Sequence, residues 1–271
     1  MKVYSPSSTL TYMRCPQLWA FQQGGWQSKV IANVDCAAAV GLGIGHGLEC
    51  QFKGASLDDA VVLARALAIG HINDKVDKGG SINPACERAY GLIEQRVEKA
   101  LRRFAKEKPL PEDWSDFRPE LVFPDHGNCR VDLLHNSDLG PCITDFKTKV
   151  SAAEYIVDNF MFDAETSWQM YHYVYAARQM GIKVESFAIC LIVIEPFHVY
   201  LEQWLVDEQY MEIWEDNAKW WWYHMEEVEG GMMPPMRVGD HRDKYGLCSM
   251  YNACFGYAEM GVNYMKRERH N

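Results

Sequence analysis

The sequence lacks any run of about twenty apolar residues, the length that a membrane-spanning helix requires. Its first residues, MKVYSPSSTLTYMRCP, lack the apolar core of a secretory signal peptide. Internal repeats and low-complexity tracts are also missing, which excludes repeat architectures. Nine cysteines without an export signal indicate a reducing compartment. We therefore expect cytoplasmic localisation, or a host's cytoplasm if a phage encodes the chain.

An excess of positive charge is missing too. The sequence has 27 basic and 37 acidic residues and a formal net charge of -10. This balance gives no overall attraction to nucleic acid or anionic lipid, so a polyanionic partner would require a local basic patch. The length of 271 residues is enough to bury a substantial core, in one large domain or two small ones.

Hydrophobic periodicity and turn residues predict the order of the secondary-structure elements. Helices are predicted from Ser7 or Ser8 through Phe21, and over 37–52, 56–75 and 83–106. The later elements are predicted as strands at 120–123, 129–134 and 142–147, a helix at 164–180, strands at 187–194 and 199–204, and a helix at 210–225. This order predicts an α/β fold with helices inserted ahead of the sheet.

The domain boundaries follow from the same pattern. We expect a single domain over residues 1–271, with a helical insertion at 53–110. The tail at 232–271 is irregular and carries Cys248 and Cys254. We expect this tail to pack back near the segment that contains Cys15.

The segment DLLHNSDLGPCITDFKTK, residues 132–149, is the most informative stretch. Its turn-rich middle separates two short apolar runs, which predicts a β-hairpin. Side chains alternate along a strand, so Asp145 and Lys147 share one face. If the hairpin pairs Asp132 close to Asp145, two carboxylates meet on that face. Such a pair is costly unless a cation lies between the two charges.

Oxygen ligands of this kind favour a hard divalent cation such as Mg²⁺ or Mn²⁺. A metal at this place would polarise a phosphoryl oxygen and activate water near neutral pH. Lys147 would orient that water or stabilise charge that builds in the transition state. Glu120, on the strand before, is a third acid for the same site. The alternative, from these residues alone, is an ordinary polar strand with an exposed end.

The pattern Asp-x(12)-Asp-x-Lys, after an upstream Glu and Gly, resembles the signature of the PD-(D/E)xK nucleases. Other segments are similar to the RecB-like branch, which includes phage exonucleases and CRISPR-adaptation nucleases. These segments are SPSSTLTYMRCPQLWAF (5–21), GLGIGHGLE (41–49), PELVFPDHGNCRVDLL (119–134) and QMYHYVYA (169–176). Val131 stands where the family has its proline. The resemblance implies a restriction-endonuclease-like core, in which helices flank a central mixed β-sheet.

The resemblance also implies the residues of the site. The implied metal ligands are His46, Glu120, Asp132, Asp145 and the carbonyl of Phe146. The implied catalytic side chains beside the acids are Lys147, Gln169 and Tyr173. Gln169 and Tyr173 lie on one helix face at positions i and i+4, where they would brace the lysine or contact the substrate.

Many relatives bind a [4Fe-4S] cluster through one early cysteine and three late ones. Cys15, Cys248 and Cys254 stand at three of these places, and the fourth has no cysteine. A cluster is usually held by four ligands. His241 or Asp243 would therefore have to substitute, and otherwise the cluster is absent.

A basic stripe gives an acidic chain a place to contact phosphates. Arg96, Lys99, Arg103 and Lys106 recur at i, i+3, i+7 and i+10 of a predicted helix, apart from its apolar stripe. This stripe is either a contact to a phosphate backbone or a solvated helix face, and both interpretations stay open. Lys149, just past the predicted catalytic strand, is a further candidate contact to DNA.

The resemblance implies a Mg²⁺- or Mn²⁺-dependent nuclease that hydrolyses phosphodiester bonds in single- or double-stranded DNA. An exonuclease that acts on DNA ends in recombination, repair or phage DNA processing is favoured, because no sequence-reading module is evident. A structure-selective endonuclease is one alternative. A non-catalytic DNA-binding or assembly subunit is another. A helicase or recombinase is an expected class of partner.

Overall fold

A computed structural model describes residues 2–23, 26–28, 35–77, 88–232, 242–243, 246–247 and 264–266. The helices are α1 (Pro6–Arg14), α2 (Pro16–Gln23), α3 (Cys36–Phe52), α4 (Leu57–Asp77), α5 (Ile93–Glu107), α6 (Glu154–Glu165), α7 (Trp168–Gln179) and α8 (Glu208–Glu229). The strands are β1 (Trp26–Ser28), β2 (Ser115–Phe123), β3 (Cys129–Ser137), β4 (Gly140–Lys149), β5 (Ser186–Ile194), β6 (Phe197–Leu205), β7 (Arg242–Asp243), β8 (Gly246–Leu247) and β9 (Tyr264–Lys266). Within these ranges, no helix is long and apolar enough to cross a bilayer.

The chain divides into two compact units. The larger unit comprises Ala32–Pro124 and Cys129–Met211 and contains a five-stranded sheet. The smaller unit comprises Met1–Ile31, Asp125–Asn128 and Glu212–Asn271. The predicted insertion and tail boundaries stay predictions, and most of the tail lies outside the described residues.

The sheet of the larger unit has the order β2-β3-β4-β5-β6. Strands β4 and β5 are parallel, and the other neighbours are antiparallel. Two parallel neighbours need a crossover connection, which α6 and α7 supply here. The predicted class is confirmed: a mixed sheet flanked by helices, as in restriction-endonuclease-like folds.

Strand β5 lies at the centre of the hydrophobic core, because every one of its residues is buried. Cys190, Ile192 and Ile194 pack with the buried side chains of α3, α4 and α5. Phe187 instead packs edge-on against Tyr171 of α7, with 5.5 Å between the ring centroids. A strand that is covered on both faces has a continuous run of apolar residues, and β5 has such a run from Phe187 to Ile194.

Small residues let α3 lie unusually close to its neighbours. A Cβ atom on Gly43 would come within 2.9 Å of the Ala64 carbonyl oxygen of α4 and 3.1 Å of a Val97 methyl of α5. A Cβ atom on Gly41 would come within 2.6 Å of Thr148 Oγ1 on β4. The glycines of the GLGIGHGLE segment therefore set how near α3 approaches β4.

The predicted first helix is wrong in one respect, because the structure has two helices there. Cys15 separates them in an extended conformation, φ -158° and ψ 98°. Proline disfavours the helical conformation of the residue before it, and Pro16 follows Cys15. The cap also lies two positions before the earlier of the two predicted residues, since Ser5 Oγ, not Ser7 or Ser8, accepts a hydrogen bond from the Ser8 N–H at 3.2 Å.

Two further helix predictions need correction. The helix predicted at 164–180 begins only at Trp168, as α7, and a separate unpredicted helix, α6, ends before it at Glu165, with Thr166 and the extended Ser167 between them. The helix predicted over 83–106 is interrupted: residues 88–90 are helical, 91–92 form a turn, and α5 starts at Ile93. The predicted start lies outside the described residues.

The turn between β2 and β3 requires a glycine at position 127. Gly127 has a φ of +72°, which lies in the left-handed region. A Cβ atom there would come within 2.4 Å of the backbone of Tyr4 and of Ser5. The N-terminal segment therefore packs against this turn of the smaller unit at a distance that only glycine allows.

We predict that Gly43→Ala destabilises the protein by about 1–3 kcal/mol, because the methyl group would meet backbone and core atoms that cannot move aside easily. Gly70→Ala is the matched control, a helical glycine of α4 with no described atom within 4 Å of its would-be Cβ. Helix propensity favours this control by up to about 1 kcal/mol. Urea denaturation should therefore move in opposite directions for the two variants. Equal midpoints would contradict the close packing of α3.

Candidate active site

Three acids fall in one row across adjacent strands of the sheet. The register of β2 and β3 sets Glu120 opposite Asp132. The register of β3 and β4 sets Asp132 opposite Asp145, one residue beyond their last ladder pair. Adjacent strands lie about 4.8 Å apart, so the sheet holds the three carboxylates close to one another.

Asp145 is the most buried member of the row, with 2% of its side chain exposed. Gln169 Nε2 donates to its Oδ1 at 3.3 Å, and Lys147 Nζ lies 2.8 Å from its Oδ2. The lysine contact is a close ion pair with a nearly buried carboxylate. Burial raises the pKa of Asp145 to about 6, and Asp132 adds to the shift while Lys147 opposes it.

Asp132 connects the two arms of the hairpin. Its Oδ2 accepts a hydrogen bond from the Phe146 backbone N–H at 2.8 Å, in place of a ladder bond between the strands. Burial raises the pKa of Asp132, and the Phe146 hydrogen bond and the charges of Lys147 and Arg130 oppose the shift. The hydrogen bond therefore fixes the orientation of the Asp132 side chain, and burial makes its ionised form unfavourable.

Glu120 occupies an unusual position in β2. Its backbone φ is +54°, in the left-handed region that side-chain-bearing residues rarely adopt. Its Oε2 lies 2.6 Å from Arg130 Nε. Burial raises the pKa of Glu120; Arg130 opposes the shift, and Glu49 and Asp132 add to it. A strained backbone that points an acid into an acidic row is typical of a functional site.

Gln169 joins the acid to the lysine. While its Nε2 serves Asp145, its Oε1 accepts a hydrogen bond from Lys147 Nζ at 3.3 Å. Its Nε2 also contacts the Tyr173 hydroxyl, one turn further along α7. Burial raises the pKa of Tyr173 far above its usual range, so the phenol stays neutral. The predicted pair therefore lies where it can brace Lys147.

A small cavity opens beside the row of acids. Its volume is about 20 Å³, enough for roughly one water-sized species. Three carboxylates line it: Glu49, Glu120 and Asp132. The remaining lining residues are Gly45, Leu48, Phe52 and Phe146.

Sequence reasoning missed Glu49 as a member of the site. His46 Nδ1 lies 3.0 Å from Glu49 Oε2, and its Nε2 lies 3.7 Å from Cys50 Sγ. The predicted ligand His46 thus contacts Glu49, and Glu49 lines the cavity. Burial alone would raise the pKa of Glu49, but hydrogen bonds from Lys53 and His46 hold it below its ordinary value. The signal for Glu49 was its place at the end of GLGIGHGLE.

The donor set fits a hard divalent cation. Within the described ranges, no three or more His, Cys, Asp or Glu side chains are already spaced as a finished metal site. Asp145 Oδ2 and Glu120 Oε2 are nevertheless buried oxygens without hydrogen bonds, although each contacts a basic side chain. Buried carboxylates with raised pKa values are stabilised when a cation joins them. The oxygen ligands match Mg²⁺ or Mn²⁺.

The predicted cluster ligands gain no support. Cys15 is buried in the smaller unit, where its sulfur accepts a hydrogen bond from the Leu18 N–H at 3.4 Å. Cys248, Cys254 and His241 lie outside the described residues, and only the backbone of Asp243 is described, in β7. The [4Fe-4S] cluster stays a prediction.

The basic stripe of α5 is partly neutralised by acids. Arg96 makes a two-point contact with Glu195 at 3.0 and 3.1 Å. Arg103 pairs with Glu107 at 3.3 Å on the same helix. The predicted contact between this stripe and DNA stays a prediction.

Lys149 lies at the end of β4, beyond the acids. Its Nζ sits 5.1 Å from the centroid of the Phe160 ring, a cation–π contact with α6. The aromatic ring holds the ammonium group at the edge of the sheet where the catalytic strand ends. The predicted contact between Lys149 and DNA stays a prediction.

The mixed sheet, the acidic hairpin and the lysine together match the class of nuclease folds that the sequence pattern resembles. A family model of the PD-(D/E)XK nuclease superfamily matches residues 3–254. The chain therefore belongs to the PD-(D/E)XK nuclease superfamily, and this membership identifies it as a nuclease.

The other comparisons are weaker. No curated protein matches the sequence significantly. A similar solved structure is a candidate exonuclease from Eubacterium rectale, at 14% identity, with 96% of this chain and 89% of that chain covered and a TM-score of 0.45. The solved structure of SSO0001 is similar at 10% identity, with 69% of this chain and 75% of that chain covered and a TM-score of 0.23.

We predict that Asp145→Asn stabilises the metal-free protein at pH 7.5. The pKa of Asp145 is raised from 3.8 to about 6. Its contribution to stability is therefore complete below pH 3.8 and lost as the pH rises through 6. Each pKa unit corresponds to about 1.4 kcal/mol, so the gain on removing the charge should be about 1–3 kcal/mol. Thermal unfolding in chelator measures it.

The same experiment tests for metal. Mg²⁺ should raise the melting temperature of the wild type and should raise that of Asp145→Asn much less, because binding to the folded state stabilises it. Asp163→Asn, an exposed acid of α6, is the control and should behave as the wild type. A less stable Asp145→Asn protein in chelator at pH 7.5 would contradict the inferred cost of the buried charge.

Proposed function

We propose that the protein is a Mg²⁺- or Mn²⁺-dependent deoxyribonuclease, and most specifically an exonuclease that acts on DNA ends. One observation carries the proposal. Lys147 Nζ lies 2.8 Å from Asp145 Oδ2 beside the row that Asp145 forms with Asp132 and Glu120. Superfamily membership supports hydrolysis of nucleic acid, and members of this superfamily typically use divalent metals.

The acids would hold the metal, and the metal would polarise a phosphoryl oxygen and lower the pKa of bound water. Asp132 and Asp145 would be the principal ligands, with Glu120 and Glu49 across the cavity. Asp132 is oriented for this task by the Phe146 N–H, and Asp145 by Gln169. Both carboxylates are thus held in place before any ligand arrives.

Lys147 would act on the reacting phosphate. Its side chain is 37% exposed, so its ammonium group reaches solvent while Asp145 and Gln169 hold it at 2.8 and 3.3 Å. An ammonium group fixed there stabilises negative charge that develops on phosphate oxygens or orients the attacking water. Gln169 and Tyr173 position the lysine and are not themselves required to exchange protons.

The exonuclease assignment rests on the RecB-like sequence resemblance and on the lack of an evident sequence-reading module. Recombination, repair or phage DNA processing is the proposed setting, with a helicase or recombinase as the class of partner. The proposed place of action is the cytoplasm. Each of these finer assignments depends on cleavage of DNA being observed first.

We predict that Lys147→Ala reduces cleavage of linear DNA by at least 100-fold, because the charge opposite the transition state is lost. Lys183→Ala is the matched control, since Lys183 is a surface lysine 86% exposed and paired only with Glu185 among the described residues. Purified proteins are incubated with linear and covalently closed circular DNA in Mg²⁺, Mn²⁺ or chelator. The control should match the wild type.

The substrates separate the candidate activities. Metal-dependent loss of linear DNA alone would support the exonuclease, and cutting of the circle as well would favour the structure-selective endonuclease. DNA binding without cleavage in every metal would overturn the enzymatic proposal and favour a DNA-binding or assembly subunit.

A further inference from the structure

Two basic side chains pair with acids that line the cavity. Arg130, on β3, places its Nε 2.6 Å from Glu120 Oε2. Lys53, at the C-terminal cap of α3, pairs with Glu49. The two basic side chains are 60% and 55% exposed, whereas the two acids are 17% and 19% exposed.

The charges of the site are close to balance in this state. Its four acids are Glu49, Glu120, Asp132 and Asp145, and its three basic groups are Lys53, Arg130 and Lys147. The ionised set is one charge short of neutrality. When the carboxylates bind a divalent cation, the net charge of the site changes from negative to positive. The attraction that holds Lys53 and Arg130 on the acids is then lost.

We propose that Arg130 and Lys53 are metal-gated contacts to the DNA backbone. They are counter-ions of Glu120 and Glu49 while the carboxylates are metal-free, and they turn to substrate phosphates once those carboxylates hold a divalent cation. This inference rests on the proposed function and adds to it two residues that bind the DNA backbone.

The chemistry of both side chains suits the role. Arginine presents a planar fork of donors that matches phosphate oxygens, and lysine supplies a mobile point charge. Both side chains reach solvent at the rim of the cavity. Arg96 of the basic stripe contrasts with them, since its side chain is only 16% exposed and both of its bonds go to Glu195.

The test is the salt dependence of DNA binding, with Ca²⁺ in place of Mg²⁺ and the integrity of the DNA checked on a gel. Fluorescence anisotropy of an end-labelled duplex is measured against KCl concentration, in Ca²⁺ and in chelator. Each phosphate contact contributes about 0.9 to the slope of log K against log salt. Arg130→Ala should lower the slope by about that amount in Ca²⁺ and leave it unchanged in chelator.

Two variants sharpen the result. Lys53→Ala should behave as Arg130→Ala does, and Arg102→Ala, an arginine of α5 outside the basic stripe that pairs with Asp58 and Glu98, should leave both slopes close to wild type. Equal losses of slope in Ca²⁺ and in chelator would overturn the gating. An unchanged slope for Arg130→Ala in Ca²⁺ would overturn the phosphate contact itself.

A second measurement does not depend on DNA. Since Arg130 competes with the cation for Glu120, Ca²⁺ should raise the melting temperature of Arg130→Ala more than that of the wild type. An equal shift would contradict that competition. A folded Arg130→Ala protein in this assay also excludes misfolding as the cause of a changed slope.

Failure of this inference is distinguishable from failure of the proposed function. If the wild type binds DNA in Ca²⁺ with a steep salt slope and Arg130→Ala does the same, the inference alone is wrong. If the wild type binds no DNA under any condition and cleaves none, the proposed function is wrong and the inference falls with it.

Discussion

Repulsion between carboxylates that cannot move apart is the constraint on which this structure depends. Strand spacing fixes Asp132 between Glu120 and Asp145, and burial removes the water that would otherwise screen them. Neighbouring groups offset part of this repulsion. The Phe146 backbone N–H donates to Asp132, and the Gln169 amide and Lys147 contact Asp145. The cluster of charge therefore lowers the stability of the fold, and protonation or a bound cation relieves it, which is the pattern expected where function opposes folding.

The close approach of α3 determines the shape of the site. Its glycines bring the helix against α4, α5 and β4 without side chains between them. The last turns of the same helix then supply Glu49 and Phe52 to the cavity, and Lys53 to its rim. The glycines of α3 thus determine its packing, and this packing fixes the position of Glu49 and Phe52 in the candidate site.

Much of the fold and part of the site could be predicted from the sequence. The hairpin of Asp132 and Asp145 was visible because alternation and turn residues are local signals, and the helices and later strands had clear periods. The break at Ser167 was not visible, since no proline or glycine marks it. The pairing of Arg130 with Glu120 was also missed, because it depends on strand register and on a left-handed backbone at Glu120 that no local pattern reveals.

The parallel pairing of β4 with β5 has a consequence for how the protein is made. Asp145 lies in register with Ile189, more than forty residues later in the chain, and Gln169 lies on the crossover between them. Contacts so distant in sequence form late, because the intervening loop must first be closed. The surroundings that raise the pKa of Asp145 and place Gln169 beside Lys147 are therefore products of the tertiary fold and not of the hairpin alone. An isolated hairpin would carry Asp132 and Asp145 without the amide of Gln169 that contacts Lys147 and Asp145 in the fold.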